Sequence, residues 1–425
     1  MEKRRLTQKI IWPIVFVYLL QTYLFSYELF FVISVTILCV YAIAQKGVLK
    51  VPRVPGVIGY VLVLLFMTFI GFAQYSVRLV TRDVFYEFSN ILLICLGYYL
   101  YKKRSDFEDI ITTTVCMVTI TSILTLILGA ISLIREPSFT TMRDSFSIGI
   151  KSIEVLFPIL TMYVLVEKKV VISKVVDKII ILLWGIQTVL NLSRVTIVGI
   201  VAALITCVLV MIINRKIAVD KIVKVVGIVI IVLCLICVIW RVIPDDISNH
   251  FVDKIENTIS EITVATEYNS LAEAQSNWRG YEISCAQQQW WESDLVSKVV
   301  GKGNGTLISI FYIPDGWKAF VEVQNGETGI TVLHNTYYTL LIKGGIIAVV
   351  LFLRMFLLNI RKGMRCYRIQ KNDMGMYLVV LCVVMLIDAY VIRGMVQNDA
   401  QMTWSLLFGW LNAKISSDLM VQKRE

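Results

Sequence analysis

The chain has 425 residues, of which 57% are hydrophobic and only 17% charged, and its mean hydropathy is +0.74. That balance excludes an ordinary water-soluble domain. The net charge of +10 is topological information and not a nucleic-acid signal, because the basic residues gather on one set of loops.

Apolar stretches long enough to cross a bilayer recur at about 11–27, 29–45, 56–73, 84–101, 110–134, 153–167, 179–193, 195–213, 225–243, 333–358, 374–392 and 401–413. They predict an all-α polytopic membrane protein of about twelve transmembrane helices. With both termini in the cytoplasm, 26 basic residues fall in cytoplasmic segments and seven in short external loops, as the positive-inside rule requires. The first apolar segment lacks a small-residue cleavage site, so no removable signal peptide is expected. The organisation that follows is helices 1–9 over residues 1–243, an external loop over 244–332, and helices 10–12 over 333–425. Seven of the nine cysteines fall within the apolar stretches, Cys366 follows one and Cys285 lies in the loop, and their spacing suits neither a metal site nor a disulfide framework.

The loop at 244–332 carries thirteen acids against five bases. Trp278 to Lys298 reads as one helix, with Trp290 and Trp291 available at an interface. Gly301-Lys302-Gly303-Asn304-Gly305 reads as a turn or tight loop. Residues 320–324 and 327–332 flank Asn325-Gly326, a two-residue hairpin signal. A folded, half-buried cap over the outer face of the membrane is the expectation.

The short external loops hold Arg78, Arg82, Arg135, Arg143, Lys151, Arg194 and Arg393, six guanidinium groups to one ammonium. Planar bidentate donors suit phosphate or carboxylate groups at the outer leaflet, and lipid-headgroup anchoring is the competing reading. Arg194 stands in Asn191-Leu192-Ser193-Arg194, a connection too tight to leave it freely in water, so it either meets an anion or snorkels to headgroups. Arg279, in Asn277-Trp278-Arg279-Gly280-Tyr281, is a rare base in an acidic loop, where a surface ion pair would serve equally. Glu87, Lys343 and Asp388 are ionisable residues within apolar spans, suited to lining a cavity or, more simply, to structural pairing. Of the two histidines, His250 has no supporting neighbourhood. His334, in His334-Asn335-Thr336-Tyr337-Tyr338, opens a span directly after the loop, where an imidazole can do proton chemistry at the lipid surface. No Walker lysine motif, clustered histidines or Asp-x-Asp pair is present, and no cofactor or metal is expected.

Taken in order, these residues resemble the O-antigen ligase/polymerase superfamily of bacterial envelope enzymes. The resemblance rests on Ser193-Arg194 at a tight external turn, on Trp278 and Arg279 leading to Gly301, Gly303 and Gly305, and on His334-Asn335 followed by Tyr337, Tyr338, Leu340 and Gly344-Gly345-Ile346. Lys343 departs from the family pattern, which has an acidic residue there. The resemblance implies a fold like that of the C-type glycosyltransferases, in the bacterial cytoplasmic membrane. It implies a metal-independent inverting transfer of a glycan from a polyprenyl-pyrophosphate donor to a sugar hydroxyl at the outer face. His334 would be the general base or orient the acceptor, with Arg194 and Arg279 on the pyrophosphate. Asn335, Tyr337, Tyr338, Arg78, Arg82, Arg143 and Arg393 complete the candidate substrate-binding set. The partners implied are the lipid-linked oligosaccharide and the bilayer, with a chain-length regulator left open. Polymerisation of O-antigen, capsule or exopolysaccharide repeat units is favoured on base rates over ligation to lipid A–core. A multispanning transporter of lipid-linked sugars is the rival from another class.

Overall fold

The computed structural model describes residues 27–44, 52–101, 107–191, 193–213, 268–313, 321–324, 326–370, 372–391, 394–396 and 402–421, with the single positions 223, 227, 230 and 318. Nearly all of the expected spans at 11–27 and 225–243, the first part of the loop with His250, and Arg393 lie outside them. Most of the described chain is helical. In order come α1 (Tyr27–Ala44), α2 (Val57–Gln74), α3 (Val77–Tyr101), α4 (Phe107–Arg135), the short α5 (Phe139–Ser145), α6 (Ile150–Thr161), α7 (Lys174–Leu190) and α8 (Arg194–Ile213). The cap adds α9 (Leu271–Ser276), α10 (Trp278–Glu292), α11 (Leu295–Val300), β1 (Ile308–Ser309), β2 (Glu322–Gln324) and β3 (Glu327–Ile330). The bundle closes with α12 (Thr336–Gln370), α13 (Met374–Val391) and α14 (Met402–Val421).

Among the described residues, five helical stretches are long and apolar enough to cross a membrane: Val57–Gln74, Ile111–Arg135, Arg194–Ile213, Thr336–Ile369 and Met374–Val391. Their burial separates centre from rim. The apolar window of α13 is 72% buried and that of α2 only 33%. On α2 the residues Leu62, Leu65, Phe66, Phe69 and Phe72 face outward while Tyr60, Leu64 and Met67 pack inward. An apolar outer face on such a rim helix suits contact with lipid. Around α13 the core is aromatic, with Phe352, Phe356, Trp404 and Phe408 in a chain of ring contacts. Asn90 on α3 ties that helix to the last one, accepting from Ser405 at 2.7 Å.

The cap has its own small core, in which Tyr281, Cys285, Ala286, Ile308, Ile310 and Ile330 pack with Leu333, just before α12, and Ile342 within it. The hairpin forms as the Asn325-Gly326 signal requires, with Gln324 opposite Glu327 and Gly326 at φ 84°. Strand β3 pairs on its other edge with β1, giving the order β1-β3-β2. One expectation is corrected. Residues 278–298 form two helices, because the Asp294 carboxylate accepts from the amides of Val296 and Ser297 and so starts a new helix at Leu295.

After α11 the glycine turn is not a surface loop. It descends into the bundle beside a break in α12, where Gly345 has φ 62° and ψ −167°. The amides of Lys302 and Gly303 donate to the carbonyls of Ile342 and Lys343 at 3.0 and 2.8 Å, satisfying acceptors that the break leaves open. A side chain at Gly301, itself at φ 80°, would collide with the backbone of Lys343. On the other side Asn304 donates its amide to Met67 at 2.9 Å. Met67 lies seven residues before the end of α2, so the turn sits roughly 10 Å below that helix end.

Candidate functional site

His334 follows β3 and precedes the first turn of α12, so the cap and the bundle both fix its backbone. Its partner is Glu282, in the middle of α10. One carboxylate oxygen accepts from the His334 amide at 2.9 Å, and both lie 3.0 Å from Nδ1. The same carboxylate accepts from the Trp278 indole N–H at 2.8 Å, one helical turn earlier. Glu282 is 1% exposed, whereas the imidazole is 21% exposed. A buried carboxylate on Nδ1 holds the ring with its proton on that nitrogen and makes Nε2 the basic one. That is the arrangement of an oriented general base.

Arg279 stands on the same helix, one turn before Glu282, and is half-buried. Asn335 begins α12: its carbonyl oxygen accepts from the amide and hydroxyl of Thr339, and its side-chain oxygen from the Tyr338 amide. Its buried Nδ2 has no hydrogen-bond partner among the described residues, leaving a donor beside the histidine. The two tyrosines separate. The Tyr338 hydroxyl accepts from Gln287 on α10 at 2.7 Å, facing the cap. Tyr337 donates to the carbonyl of Leu386 at 2.8 Å and packs edge-on against Phe352, which puts it in the bundle. Tyr281 pins the far side of the cap, its hydroxyl accepting from the amides of Phe311 and Tyr312 at 2.7 and 2.6 Å. Burial pushes that phenol above its ordinary range.

The remaining arginines are distributed elsewhere. Arg78 and Arg82 both reach one oxygen of Glu322 on β2, at 2.8 Å each. They clamp the hairpin to the start of α3. Arg143 makes an exposed ion pair with Asp144 at 3.1 Å, and its carbonyl accepts from Asn191 at 3.0 Å. This brings α5 against the tight turn that leads to Arg194, the first residue of α8. Ser193 caps that helix, its hydroxyl oxygen accepting from Thr196. Lys151, expected in an external loop, instead turns its ammonium onto Glu154 and Asp388 at 2.5 and 3.1 Å. Asp388 lies two residues from the carbonyl that receives Tyr337. Lys343 pairs with Asp83 at 2.6 Å, both fully buried, and Glu87 accepts from Asn304 at 2.7 Å. Structural pairing is thus what the structure gives the in-span charges Asp388 and Lys343.

Glu282 and Asp83 were not singled out by sequence. The one available signal for Glu282 is its i,i+4 spacing from Trp278, which puts both on one face of α10. Among the described residues no group of three or more His, Cys, Asp or Glu side chains is placed to hold a metal ion. No protein-family model matches the chain, and no curated protein shows significant similarity to it.

Proposed function

We propose that the protein is a membrane glycosyltransferase of the O-antigen ligase/polymerase kind, working at the outer face of a bacterial cytoplasmic membrane. In this reading about twelve helices span the bilayer in an arrangement like that of the C-type enzymes. Both termini are cytoplasmic and the cap is outside. The observation that carries it is the Glu282–His334 pair, with Arg279 one turn away on the same helix. The acceptor sugar hydroxyl gives its proton to His334 Nε2 as its oxygen bonds to the anomeric carbon of the donor. The bond from that carbon to the pyrophosphate oxygen breaks with the electron pair, leaving polyprenyl pyrophosphate. Arg279 and Arg194 balance the charge that builds on it. A single displacement inverts the anomeric carbon. Asn335 Nδ2, an unspent donor beside the base, is suited to holding an acceptor hydroxyl.

Polymerisation of repeat units is favoured over transfer to lipid A–core, and a chain-length regulator is a natural partner for it. The transporter reading draws on the ion pairs within the bundle, Lys151 with Glu154 and Asp388, and Lys343 with Asp83.

The test is glycan profiling of a deletion strain complemented with wild type, His334→Ala or Arg279→Ala at equal membrane levels. Single repeat units in the deletion, with long chains restored by wild type alone, support a polymerase. Long chains that stay on the polyprenyl carrier indicate a ligase. Wild-type profiles from both variants would overturn the active-site assignment and put the transporter first.

A further inference from the structure

Where the glycine turn meets the bundle, five polar side chains converge from four elements: Tyr60 on α2, Asp83 and Glu87 on α3, Asn304 in the turn and Lys343 on α12. None is more than 1% exposed. Lys343 Nζ lies 2.6 Å from Asp83 Oδ2, which also accepts from the Gly305 amide at 2.6 Å. Asn304 Nδ2 donates to Glu87 Oε2 at 2.7 Å and to the Thr68 hydroxyl at 3.2 Å. Glu87 interacts electrostatically with Lys343, Asp83 and Tyr60. Four buried oxygens of this group have no hydrogen-bond partner among the described residues: Tyr60 Oη, Asp83 Oδ1, Glu87 Oε1 and Asn304 Oδ1.

We propose that this buried cluster binds a single monovalent cation, a sodium ion or a proton, and that the bound charge locks the glycine turn onto the bundle. The formal charges of Asp83, Glu87 and Lys343 sum to −1, since two carboxylates face one ammonium. Lys343 closes on Asp83, so the one ammonium is shared between two carboxylates, and Glu87 accepts a single hydrogen bond, from the Asn304 amide. An uncompensated charge is strongly disfavoured where no water reaches, so one more positive charge completes the group. Besides Lys343 Nζ, which Asp83 holds as an ion pair, the unspent atoms are oxygens, the donor type that hard cations take, and a proton on Glu87 Oε1 would equally find an acceptor among them. Glu87 is ten residues into α3, about 15 Å along its axis from the cap end.

The titratable and charged groups facing Glu87 are Asp83 on its own helix, Tyr60 on α2 and Lys343 on α12. The last helix meets α3 three residues further on, through Ser405 and Asn90. Coupling to the turn is direct, because Asn304 and Gly305 each bond to one of the two carboxylates. A negative Glu87 without a countercharge would repel Asp83 and loosen both bonds. This inference does not depend on the transferase reading.

The experiment uses the full chain in detergent or nanodiscs. Thermal unfolding is followed in sodium chloride against choline chloride at equal ionic strength, at pH values on both sides of neutrality. Wild type should gain ~3–5 °C in Tm at saturating occupant. If the gain follows sodium, the ion is the occupant; if it follows falling pH without sodium, the proton is. Glu87→Gln, which imitates the neutral acid, should hold the higher Tm under all conditions. Trypsin cleavage after Lys302, mapped by mass spectrometry, should slow in step with the wild-type gain and be slow throughout in the variant. Equal responses in wild type and Glu87→Gln, or no response in wild type, would overturn the proposal. No substrate enters this readout, so its failure is separable from failure of the transferase reading.

Discussion

A carboxylate–imidazole pair beside the cap and a carboxylate–ammonium pair within the bundle differ in one respect that decides what each can do. Glu282 and His334 meet at the rim of the cap, with the carboxylate sealed and the imidazole partly open. Asp83 and Lys343 meet beneath the glycine turn, with both side chains fully buried. The first carboxylate spends its bonds on an indole, an amide and one nitrogen of a partly exposed ring. The second closes on an ammonium and a backbone amide. Carboxylate pairing therefore holds the orientation of a partly exposed ring in one place and makes a sealed joint in the other.

The sharpest way to break the comparison is Glu282→Gln. An amide in place of the carboxylate no longer enforces the Nδ1–H tautomer, and turnover per molecule should fall about 100-fold or more. The check is glycan synthesis normalised to protein in isolated membranes. A residue that only supports the fold would lower abundance and leave the rate per molecule unchanged.

Lys343→Met should be silent in that rate comparison but costly to stability. It leaves Asp83 buried without its ammonium, which costs about 3–5 kcal/mol. Unfolding in denaturant should show this loss, and Asp83→Asn in the same chain should recover a large part of it. A neutral single variant would mean that the joint is not sealed.

The smallest effect is at Asp294, which separates α10 from α11. Hydrogen bonds from the Ser297 hydroxyl and amide and from the Val296 amide hold its carboxyl below the ordinary carboxylate range. Because the folded value is depressed, its stabilisation is complete above the unfolded pKa and is lost as pH falls through the folded one. Amide exchange at Val296 and Ser297, corrected for intrinsic rates, should speed up on acidification in wild type. In Asp294→Asn that extra dependence should vanish.

Much of the fold was legible because its signals are local. Long apolar runs name the helices, Asn325-Gly326 names the hairpin, and the glycines of 301–305 announce a backbone that few other residues allow. Asp294 shows the limit of such reading: one capping carboxylate split what apolar spacing presents as a single helix. The candidate site was half legible. His334, Asn335 and Arg279 stand out by residue type and position, and the structure places them in the cap and at its junction with α12. Arg78 and Arg82 drew notice for the same reason, yet both are engaged by Glu322, some 240 residues away in sequence. Tyr337 and Tyr338 are neighbours in sequence that face opposite sides of a helix start, because successive helical residues point about 100° apart.

The sequence alone tells that the protein is helical and apolar enough for a membrane, roughly where its longer helices run, and that a histidine stands between cap and bundle. Those properties follow from composition and from repeats of a few residues, which the backbone enforces wherever the chain goes. Only the tertiary structure decided the partners. Glu282 comes to His334 across 52 residues, Asp83 finds Lys343 on another helix, and the glycine turn descends to the break at Gly345. Which carboxylate answers which cation depends on how helices pack and what water can reach, and neither is written in local spacing.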